Sequence, residues 1–424
     1  MIASADRVEL TSKSKEGSQK PNSEDVVTHM HVKSHIESIK MQDVLEAGPF
    51  QAFDERVVNF LETLSAAILG HDKVRKFPDL AAFGFFIRRA NLNKMRAEKV
   101  GLPNNVRFGL GLAFHVAPSN VPLNFAYSFV TALICGNPSI VRISSSHFPQ
   151  AEILIDLINE IIPCSNFGPW LSIINYPRES DLNEMLSSRC RIRLIWGGDE
   201  TIAVFKKFKV KPNLVDITFP DKYSICVIDT SYYLSKSDPA KVASRFFDDV
   251  YTFDQNACTS PRAIVWLDND VNLKYAQDLF WSSLEKEIEA KGYTAAQGAG
   301  VRKVSKASLH AALNLVEIDR NSTLATKSVI NLKYASTKIF NNHPGEGIFY
   351  QSVVSEIQNL NGLIAENCQT LSIVGNIRKE IVSWIMGSNL NGIDRICSVG
   401  SASNFTIDWD GKDLFSMMTK SFVI

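Results

Sequence analysis

Short apolar runs alternate with amphipathic segments along most of the chain. Helical spacing of Val57, Phe60, Leu61, Leu64 and Ile68 predicts a helix that can stop at the next glycine. Similar spacing predicts helices over 78–95, 124–135, 151–162, 200–208, 239–249, 273–290 and 376–386. Continuous apolar runs predict strands near 109–116, 139–143, 171–174, 191–196, 223–228, 263–267, 371–374 and 395–399. Such alternation is typical of parallel sheets covered on both faces, so the sequence predicts an α/β fold, in two lobes.

One stretch, from Phe108 to Val141, contains no Asp, Glu, Lys or Arg, and its length would suit a membrane span. Three prolines, Pro118, Pro122 and Pro138, interrupt it. Proline removes helical hydrogen bonds, and lipid offers no partner to the backbone groups that are freed. We therefore expect no membrane span here, and interpret the stretch as a buried strand, turn and helix.

Composition and charge exclude several classes of protein. The 424 residues carry 45 Lys plus Arg and 45 Asp plus Glu, and 45% are hydrophobic. This balance argues against a basic nucleic-acid-binding surface and against a charged disordered chain. The seven cysteines form no C-x-x-C pair, which disfavours a disulfide framework or a zinc ribbon and suits a reducing cytoplasm. Asp6 and Arg7 stand where a secretory leader would need an apolar run.

Residues 1–50 are rich in Ser, Lys and Glu with little periodicity, and we interpret them as a mobile leader. Within them, His29, His31 and His35 lie close together in sequence. If this segment were helical, His31 and His35 would share a face, so a metal site is conceivable. The composition favours a solvated tail, and we assign no metal.

Cys258 is the first candidate for chemistry. It lies in the sequence FDQNACTSPR, a polar turn immediately before a predicted strand. A thiolate attacks carbonyl carbon well and leaves readily from a thioester, which suits acyl transfer. Taken alone, Cys258 fits an ordinary loop cysteine better. The other six cysteines lie in or beside apolar segments, where a small buried side chain is expected.

Asn120 lies between a predicted strand and a predicted helix, in the sequence HVAPSNVPL. A side-chain amide beside a reacting carbonyl can stabilise an oxyanion. An Asx turn before a proline-limited helix is the alternative. His115, inside the apolar strand, is more typical of a hydrogen-bonded core residue, and we assign it no chemistry.

A nucleotide phosphate has two candidate contacts. Gly197 and Gly198 follow a predicted strand and open a helix, where glycines let a phosphate approach backbone amides. A plain tight turn explains them equally well. Arg142, two residues before Ser144, lies at the end of another predicted strand. Its guanidinium can neutralise a phosphate, or it can be a solvent-exposed cation.

Three sequence blocks occur in the same order as in the acyl-CoA reductase branch of the aldehyde dehydrogenase superfamily, which the chain therefore resembles. Within that branch the resemblance is to LuxC-type long-chain fatty-acid reductases. The three blocks are HVAPSNVPLNFAYSFVTALICGNPSIVRISSSHFPQ, FDQNACTSPR and GIDRICSVGSASNFTIDWDG. The resemblance covers most of residues 53–424. It implies a Rossmann-type cofactor lobe and an α/β catalytic lobe, with the site in the cleft between them. The corresponding domains are an NADP-binding domain over 51–225, a catalytic domain over 226–400 and a C-terminal extension over 401–424.

The resemblance also implies roles for the candidate residues. Cys258 would be the nucleophile, and Asn120 would form the oxyanion hole with the backbone amide of Cys258. The turn that begins at Gly197 would lie beside the cofactor pyrophosphate. Arg142, with Ser144, would lie near the adenosine ribose. NADPH is the usual reductant of this branch.

Two segments depart from the superfamily pattern. Aldehyde-oxidising relatives carry Glu-Leu-Gly-Gly-Lys, whose glutamate activates water, whereas residues 218–222 here are Thr-Phe-Pro-Asp-Lys. Without that base, an acyl-enzyme would be protected from hydrolysis. Residues 343–349 match the Glu-x-Phe cofactor clamp only roughly. Glu346 would contact the nicotinamide ribose or act in proton transfer, unless it is a structural loop acid.

The function expected from this resemblance is NADPH-dependent reduction of a long-chain fatty acyl-CoA or other acyl thioester to the aldehyde, through a Cys-linked acyl-enzyme. The expected partners are the acyl thioester, an acyl-transferring enzyme and further copies of the chain, in the cytoplasm and without nucleic acid. One alternative is a CoA-acylating aldehyde dehydrogenase that acts on a shorter aldehyde. The other is a non-catalytic scaffold of the same fold.

Overall fold

Two large, mostly parallel sheets form the body of the protein in a computed structural model that describes residues 32–101, 106–268, 272–317 and 326–422. The strands are β1 (Lys33–Ser34), β2 (Arg107–Gly109), β3 (Ala113–Val116), β4 (Ser139–Arg142), β5 (Leu171–Asn175), β6 (Ile192–Trp196), β7 (Val215–Phe219), β8 (Tyr223–Asp229), β9 (Pro261–Leu267), β10 (Val316–Glu317), β11 (Ser328–Leu332), β12 (Ile348–Val354), β13 (Cys368–Val374), β14 (Arg395–Ser398), β15 (Asp408–Trp409), β16 (Lys412–Asp413) and β17 (Thr419–Ser421).

Helices connect most of the parallel strands. They are α1 (Met41–Glu46), α2 (Glu55–Gly70), α3 (Pro78–Phe86), α4 (Arg89–Val100), α5 (Asn124–Ile134), α6 (Pro149–Ile161), α7 (Leu182–Arg189), α8 (Asp199–Phe205), α9 (Thr230–Lys236), α10 (Pro239–Tyr251), α11 (Leu273–Ala290), α12 (Ala299–Ala312), α13 (Arg378–Ser388) and α14 (Leu414–Met418). Short 3-10 helices cover Val74–Lys76, Ile162–Cys164, Thr337–Phe340 and Ile357–Leu363.

The first sheet has the strand order β1-β5-β4-β3-β6-β7, and all its strands are parallel except β1, which is antiparallel to β5. The second sheet has the order β10-β11-β12-β9-β8-β13-β14, and only β10 is antiparallel to its neighbour. Along β8, Ile225 and Val227 enter one buried cluster while Cys226 and Ile228 enter another. Because strand side chains alternate between faces, both faces of this sheet are covered, as the sequence predicts.

The boundaries of the lobes differ from those predicted. Residue 225 lies inside β8, which pairs with β9 and β13, so the chain passes to the second sheet between Phe219 and Tyr223. The C-terminal residues return to the first lobe: β17 pairs with β2, and Phe415 and Met418 are buried in the first core. The predicted C-terminal extension over 401–424 therefore packs as part of the first lobe, because its apolar residues complete a core formed far away in sequence.

The predicted leader is too long. Over residues 32–50, β1 pairs with β5, Val44 is fully buried, and Phe50 stacks on Trp170 with ring centroids 4.2 Å apart. The segment packs against the first lobe through its few apolar side chains, such as Val44 and Phe50. The metal hypothesis rested on His29, His31 and His35, of which His29 and His31 lie outside the described residues.

The charge-free stretch forms β3, α5 and β4, joined by the turn that carries Asn120. At the end of α5 the backbone turns at Gly136, where φ is +86° and an added Cβ would lie 2.1 Å from the Phe50 carbonyl oxygen. Only glycine fits there. Across residues 32–101, 106–268, 272–317 and 326–422, no helix is both long and apolar enough to cross a membrane.

One predicted helix is in fact two. The chain over 78–95 breaks between α3 and α4, where Arg88 is extended and the Asn91 side chain donates a hydrogen bond to the Phe86 carbonyl oxygen (2.7 Å). A side-chain bond of this kind competes with helical backbone bonds, and Ile87 is buried at the corner. The break brings the N-terminus of α3 to the cleft described below.

Candidate active site

A cleft of about 870 Å³ lies between the two sheets, where β3, β4, β6 and β7 of the first sheet end. The turn before β9 and the C-terminal segment complete its wall. Six of the seven residues predicted for the site line it: Asn120, Arg142, Ser144, Gly197, Gly198 and Cys258. Ligand sites in open α/β sheets lie at the carboxyl ends of the strands, as here.

Cys258 projects from a turn that a single buried side chain organises. The Gln255 amide nitrogen donates to the carbonyl oxygens of Pro261 and Ile348 (2.9 Å each), and its oxygen accepts from the Gly347 backbone (3.0 Å). Three such bonds from one buried amide fix the path of the chain on both sides of the cysteine. The turn thus holds the half-buried thiol at the cleft.

Burial raises the pKa of the Cys258 thiol to about 12, and the negative charge of Asp410 acts in the same direction. A hydrogen bond from Gln369 and the positive charge of Arg262 oppose this shift. At neutral pH the resting side chain is therefore a thiol, and its attack on a carbonyl requires loss of the proton.

Asn120 lies beside the same turn. Its side-chain nitrogen donates to the carbonyl oxygen of Asn256, two residues before Cys258, at 3.0 Å. An amide has two N–H donors, so this bond orients the group and leaves one donor for a substrate oxygen. The structure therefore brings together the two side chains that sequence analysis singled out for acyl chemistry.

His115 belongs to the core and takes no part in the cleft. It is fully buried, and its ring nitrogens hydrogen-bond to Ser128 Oγ (2.7 Å) and Ser139 Oγ (3.2 Å). Burial lowers the pKa of His115 to about 3, so the ring is neutral. The other cysteines are buried as expected except Cys164, which is exposed.

Two guanidinium groups line one part of the cleft. Arg142, at the end of β4, lies over the Tyr176 ring (5.0 Å), and its Nε is buried without a hydrogen-bond partner. Burial lowers the pKa of Arg142, and the positive charge of Arg178 lowers it further. Arg178 donates to Thr201 Oγ1 (3.1 Å). Neither arginine has an ion pair within the described ranges, so the pair favours an anionic ligand.

Another part of the cleft wall is aromatic. The Tyr127 ring, from α5, lies 4.7 Å from the Phe405 ring, which stacks on Trp409 at 4.8 Å. Leu123 lines the cleft beside them. We name Leu123, Tyr127, Phe405 and Trp409 the apolar wall. Sequence analysis missed it because two of its members come from the returning C-terminal segment.

The comparison that decides the family is a match between residues 50–420 and the model described as acyl-CoA reductase (LuxC). The chain belongs to this family. It is 24% identical over 305 residues to the long-chain acyl-protein thioester reductase of Aliivibrio fischeri, covering 68% of this chain and 60% of the relative. The Vibrio harveyi relative of the same name is 30% identical over 160 residues. These residues cover 37% of this chain and 32% of the relative. The matches span about 60% or less of these relatives.

Solved structures of the aldehyde dehydrogenase superfamily share the fold of this LuxC-family chain. The Thermus 1-pyrroline-5-carboxylate dehydrogenase with bound NAD has a TM-score of 0.60 at 12% identity, over 90% of this chain and 84% of its own. Aldehyde dehydrogenase 21 from Physcomitrella patens has a TM-score of 0.59 at 13% identity, over 92% of this chain and 86% of its own. The predicted aldehyde-dehydrogenase-like fold is confirmed.

In this member of the LuxC family a carboxylate faces the glycine turn. A Cβ added to Gly198 would lie 2.7 Å from Asp221 Oδ2, so the glycine makes room for Asp221. Asp221 lines the cleft, whereas Thr218, which sequence analysis compared with the glutamate of Glu-Leu-Gly-Gly-Lys, does not. The positive charge in this part of the cleft therefore comes from the arginine pair, while Gly197 and Gly198 contribute space.

Glu346 is the one predicted site residue that lies outside the cleft lining. It is buried with φ of +60°, its carboxylate accepts from Arg302 Nε (3.0 Å), and its backbone N–H donates to the Asp254 carbonyl oxygen (2.9 Å). The predicted contact with the nicotinamide ribose does not fit this position, because the carboxylate is paired with Arg302 and Glu346 does not line the cleft. Glu346 instead supports the turn that carries Cys258.

No cluster of three or more His, Cys, Asp or Glu side chains suited to a metal occurs in the part of the chain that the structure describes. The chemistry of the cleft rests on a thiol, an amide, guanidinium groups and carboxylates. That set suits nucleophilic catalysis through sulfur.

Proposed function

We propose that this protein reduces a long-chain acyl thioester to the aldehyde through an acyl group carried on Cys258, with NADPH as reductant. The observation that carries the proposal is the presence in one cleft of Cys258, Asn120 and the unpaired guanidinium groups of Arg142 and Arg178. The relatives' names, long-chain acyl-protein thioester reductase, support the same substrate class.

The cleft fits a phosphorylated nicotinamide cofactor. The buried Nε of Arg142 has no partner, and a second guanidinium at Arg178 adds charge that a phosphate would neutralise. Arg142, Arg178 and Ser144 would hold the adenosine phosphate, and the turn at Gly197 would leave room for the pyrophosphate. When bound, the reduced nicotinamide supplies the hydride that brings the Cys258 thioester to the aldehyde level.

Acyl transfer to the protein begins when Cys258 loses its proton and its sulfur attacks the thioester carbonyl carbon. The carbonyl oxygen becomes an oxyanion, which the free N–H of Asn120 stabilises. When the oxyanion collapses, the bond to the donor sulfur breaks, the donor leaves as a thiol after taking up a proton, and the acyl group stays on Cys258.

Aldehyde release uses the same two side chains, with Cys258 now as the leaving group. After reduction, the bond between Cys258 and the substrate carbon breaks, the sulfur leaves as a thiolate and then takes up a proton, and the aldehyde departs. Before this bond breaks, the Asn120 N–H stabilises the negative charge on the substrate oxygen. Because that charge forms only during the reaction, the hydrogen bond lowers the activation barrier. Thr218 at the superfamily's glutamate position leaves no base there to activate water, which favours reduction over hydrolysis.

The apolar wall is where we place the acyl chain. Each buried methylene contributes about 0.8 kcal/mol, so contact with Phe405 should favour long chains. Phe405→Ala is expected to lower kcat/KM about tenfold for a long-chain acyl-CoA and little for a short one. Phe85→Ala is the matched control, because Phe85 is 54% exposed and does not line the cleft. An equal loss at all chain lengths would contradict the placement.

A specific contact with the extra phosphate of NADPH predicts a selective defect. Because a hydrogen bond to a charged group contributes about 1.5–3 kcal/mol, Arg142→Ala and Arg178→Ala should each raise KM for NADPH about tenfold or more. KM for NADH, which lacks that phosphate, should change little and serves as the control. Equal increases for both cofactors would remove these residues from phosphate recognition.

Reductant consumption across a series of acyl-CoA chain lengths tests the function as a whole. The proposal expects turnover that rises toward long chains and yields aldehyde. A maximum at short chains would favour a CoA-acylating aldehyde dehydrogenase for small aldehydes. No turnover with any thioester, free or protein-bound, would favour a scaffold.

A further inference from the structure

Asp249 is a buried carboxylate in the last turn of α10, at the wall of the cleft, and it binds the backbone of the C-terminal segment. Its Oδ2 accepts a hydrogen bond from the Gly400 N–H (2.6 Å), and its Oδ1 accepts one from the Ala402 N–H (2.9 Å). Gly400 has φ of +89°, and a Cβ added there would lie 2.7 Å from Arg245 Cβ, one turn earlier on α10. The turn over residues 400–402 therefore packs directly against this helix.

A guanidinium binds the same turn. Arg395, on β14, donates hydrogen bonds to the carbonyl oxygens of Ser401 (2.9 Å) and Ala402 (3.0 Å), and it lies 5.5 Å from the centre of the Trp409 ring. Asp249 accepts from the N–H groups of the turn, while Arg395 donates to its carbonyl groups. Hydrogen bonds to charged side chains are stronger than those between neutral groups, so the two residues together fix this short piece of backbone.

The turn lies between the nucleophile and the apolar wall. Phe405 and Trp409, two members of the wall, follow it along the C-terminal segment. On the other side, the backbone carbonyl oxygen of Asp249 accepts from Ser260 Oγ (2.8 Å), two residues after Cys258. Asp249 is therefore hydrogen-bonded both to the turn that carries the nucleophile and to the segment that carries part of the apolar wall.

A carboxylate is a costly side chain at this place. Burial raises the pKa of Asp249 to about 6, and the two backbone hydrogen bonds from the turn oppose this shift. The charge of Asp248 raises the pKa, and the charge of Arg395 lowers it. Negative charge is also unfavourable near the C-terminus of a helix. Asparagine would avoid these costs, but it has one side-chain oxygen, whereas the turn directs one N–H at each oxygen of Asp249.

We propose that Asp249 is a positioning residue that sets the preference for long acyl chains by holding the apolar wall beside Cys258. The inference rests on the proposed function, and in particular on contact between the acyl chain and Phe405. Because Asp249 acts through the wall, its loss weakens the reduction of long chains and leaves the reduction of short chains nearly unchanged. Arg395 shares this role, since it binds the same turn.

The test compares kcat/KM for a long-chain and a short-chain acyl-CoA. Asp249→Asn keeps the size of the side chain but offers one acceptor to two N–H groups. We expect the long-to-short ratio of kcat/KM to fall several-fold, and by no more than the fall of about tenfold expected for Phe405→Ala. Asp248→Asn is the matched control, because it removes the same charge from an exposed neighbour that forms no hydrogen bond with residues 400–402 in the described part of the chain. Its ratio should equal that of the wild type.

A double variant with Asp249→Asn and Phe405→Ala separates positioning from a general structural role. If Asp249 acts through Phe405, the ratio in the double variant should equal that of Phe405→Ala alone, because residues that act as a unit are not additive. A structural role would lower kcat/KM equally at both chain lengths. An unchanged ratio in Asp249→Asn, or a further fall in the double variant, would overturn the inference.

If Asp249→Asn does not fold, Arg395→Lys decides. Lysine keeps the charge but lacks the fork that donates to two carbonyl oxygens, so the ratio should again fall, and an unchanged ratio would overturn the inference. Failure of the proposed function is distinguishable, because the wild type would then reduce no acyl thioester or show no preference for long chains. The inference would fall with it in that case, whereas a wild type that prefers long chains leaves Asp249→Asn to decide.

Discussion

Cys258→Ala is expected to abolish aldehyde formation, a loss on the order of 10⁴-fold or more, because Cys258 is the one thiol among the residues that line the cleft. The variant should fold, since the substitution removes one half-buried sulfur and leaves the Gln255 hydrogen bonds that hold the turn. The measurement is aldehyde production from a long-chain acyl-CoA with NADPH.

Cys164→Ala is the matched control for this result. Cys164 is exposed and does not line the cleft, so its loss should leave the rate unchanged. A Cys258→Ala variant that keeps more than a small residual rate would require a mechanism without a covalent intermediate on this residue.

Asn120→Ala is expected to have the second largest effect, a fall in kcat of about 10²–10³-fold with little change in KM. The amide is oriented by its bond to the Asn256 carbonyl oxygen, and its remaining N–H acts on charge that exists only in the transition state. Steady-state kinetics with one acyl-CoA at varied concentration separates the two parameters.

Asn404→Ala is the matched control, because Asn404 also lines the cleft but belongs to the C-terminal segment. It should change kcat only slightly. A rise in KM with unchanged kcat in Asn120→Ala would mean that Asn120 binds the ground state and does not form an oxyanion hole.

Local periodicity was sufficient to predict much of the fold. Helix α11 has the predicted bounds, Leu273–Ala290, and β4 and β6 differ from prediction by one residue each. In such segments the apolar pattern directly reflects which face is buried. Helix α12 and strands β11 and β12 were not predicted, and neither was the break between α3 and α4, which depends on the bond from Asn91 to Phe86.

The site was predictable only where neighbouring residues in sequence form it. Cys258 and Asn120 each lie in a recognisable turn, and the structure brings the turns together. Arg178 carries no motif, and Phe405 lies in the third block of the resemblance, which gave it no role in the site. Both line the cleft only because the fold brings distant segments together.

Glu346 shows the limit of a partial motif match. Its local sequence partly matches a cofactor clamp, but its conformation depends on the Asp254 carbonyl oxygen and on Arg302, neither of which the motif specifies. Of the roles that this short match left open, the contacts of Glu346 fit the structural one.

The most direct test of the central claim is peptide mass spectrometry of the protein after incubation with a long-chain acyl-CoA in the absence of reductant. The account predicts one acyl group on the peptide that contains Cys258, and its release as aldehyde, in equal amount, when NADPH is added. An acyl group on another residue, no acyl group at all, or release only as the free acid would contradict it.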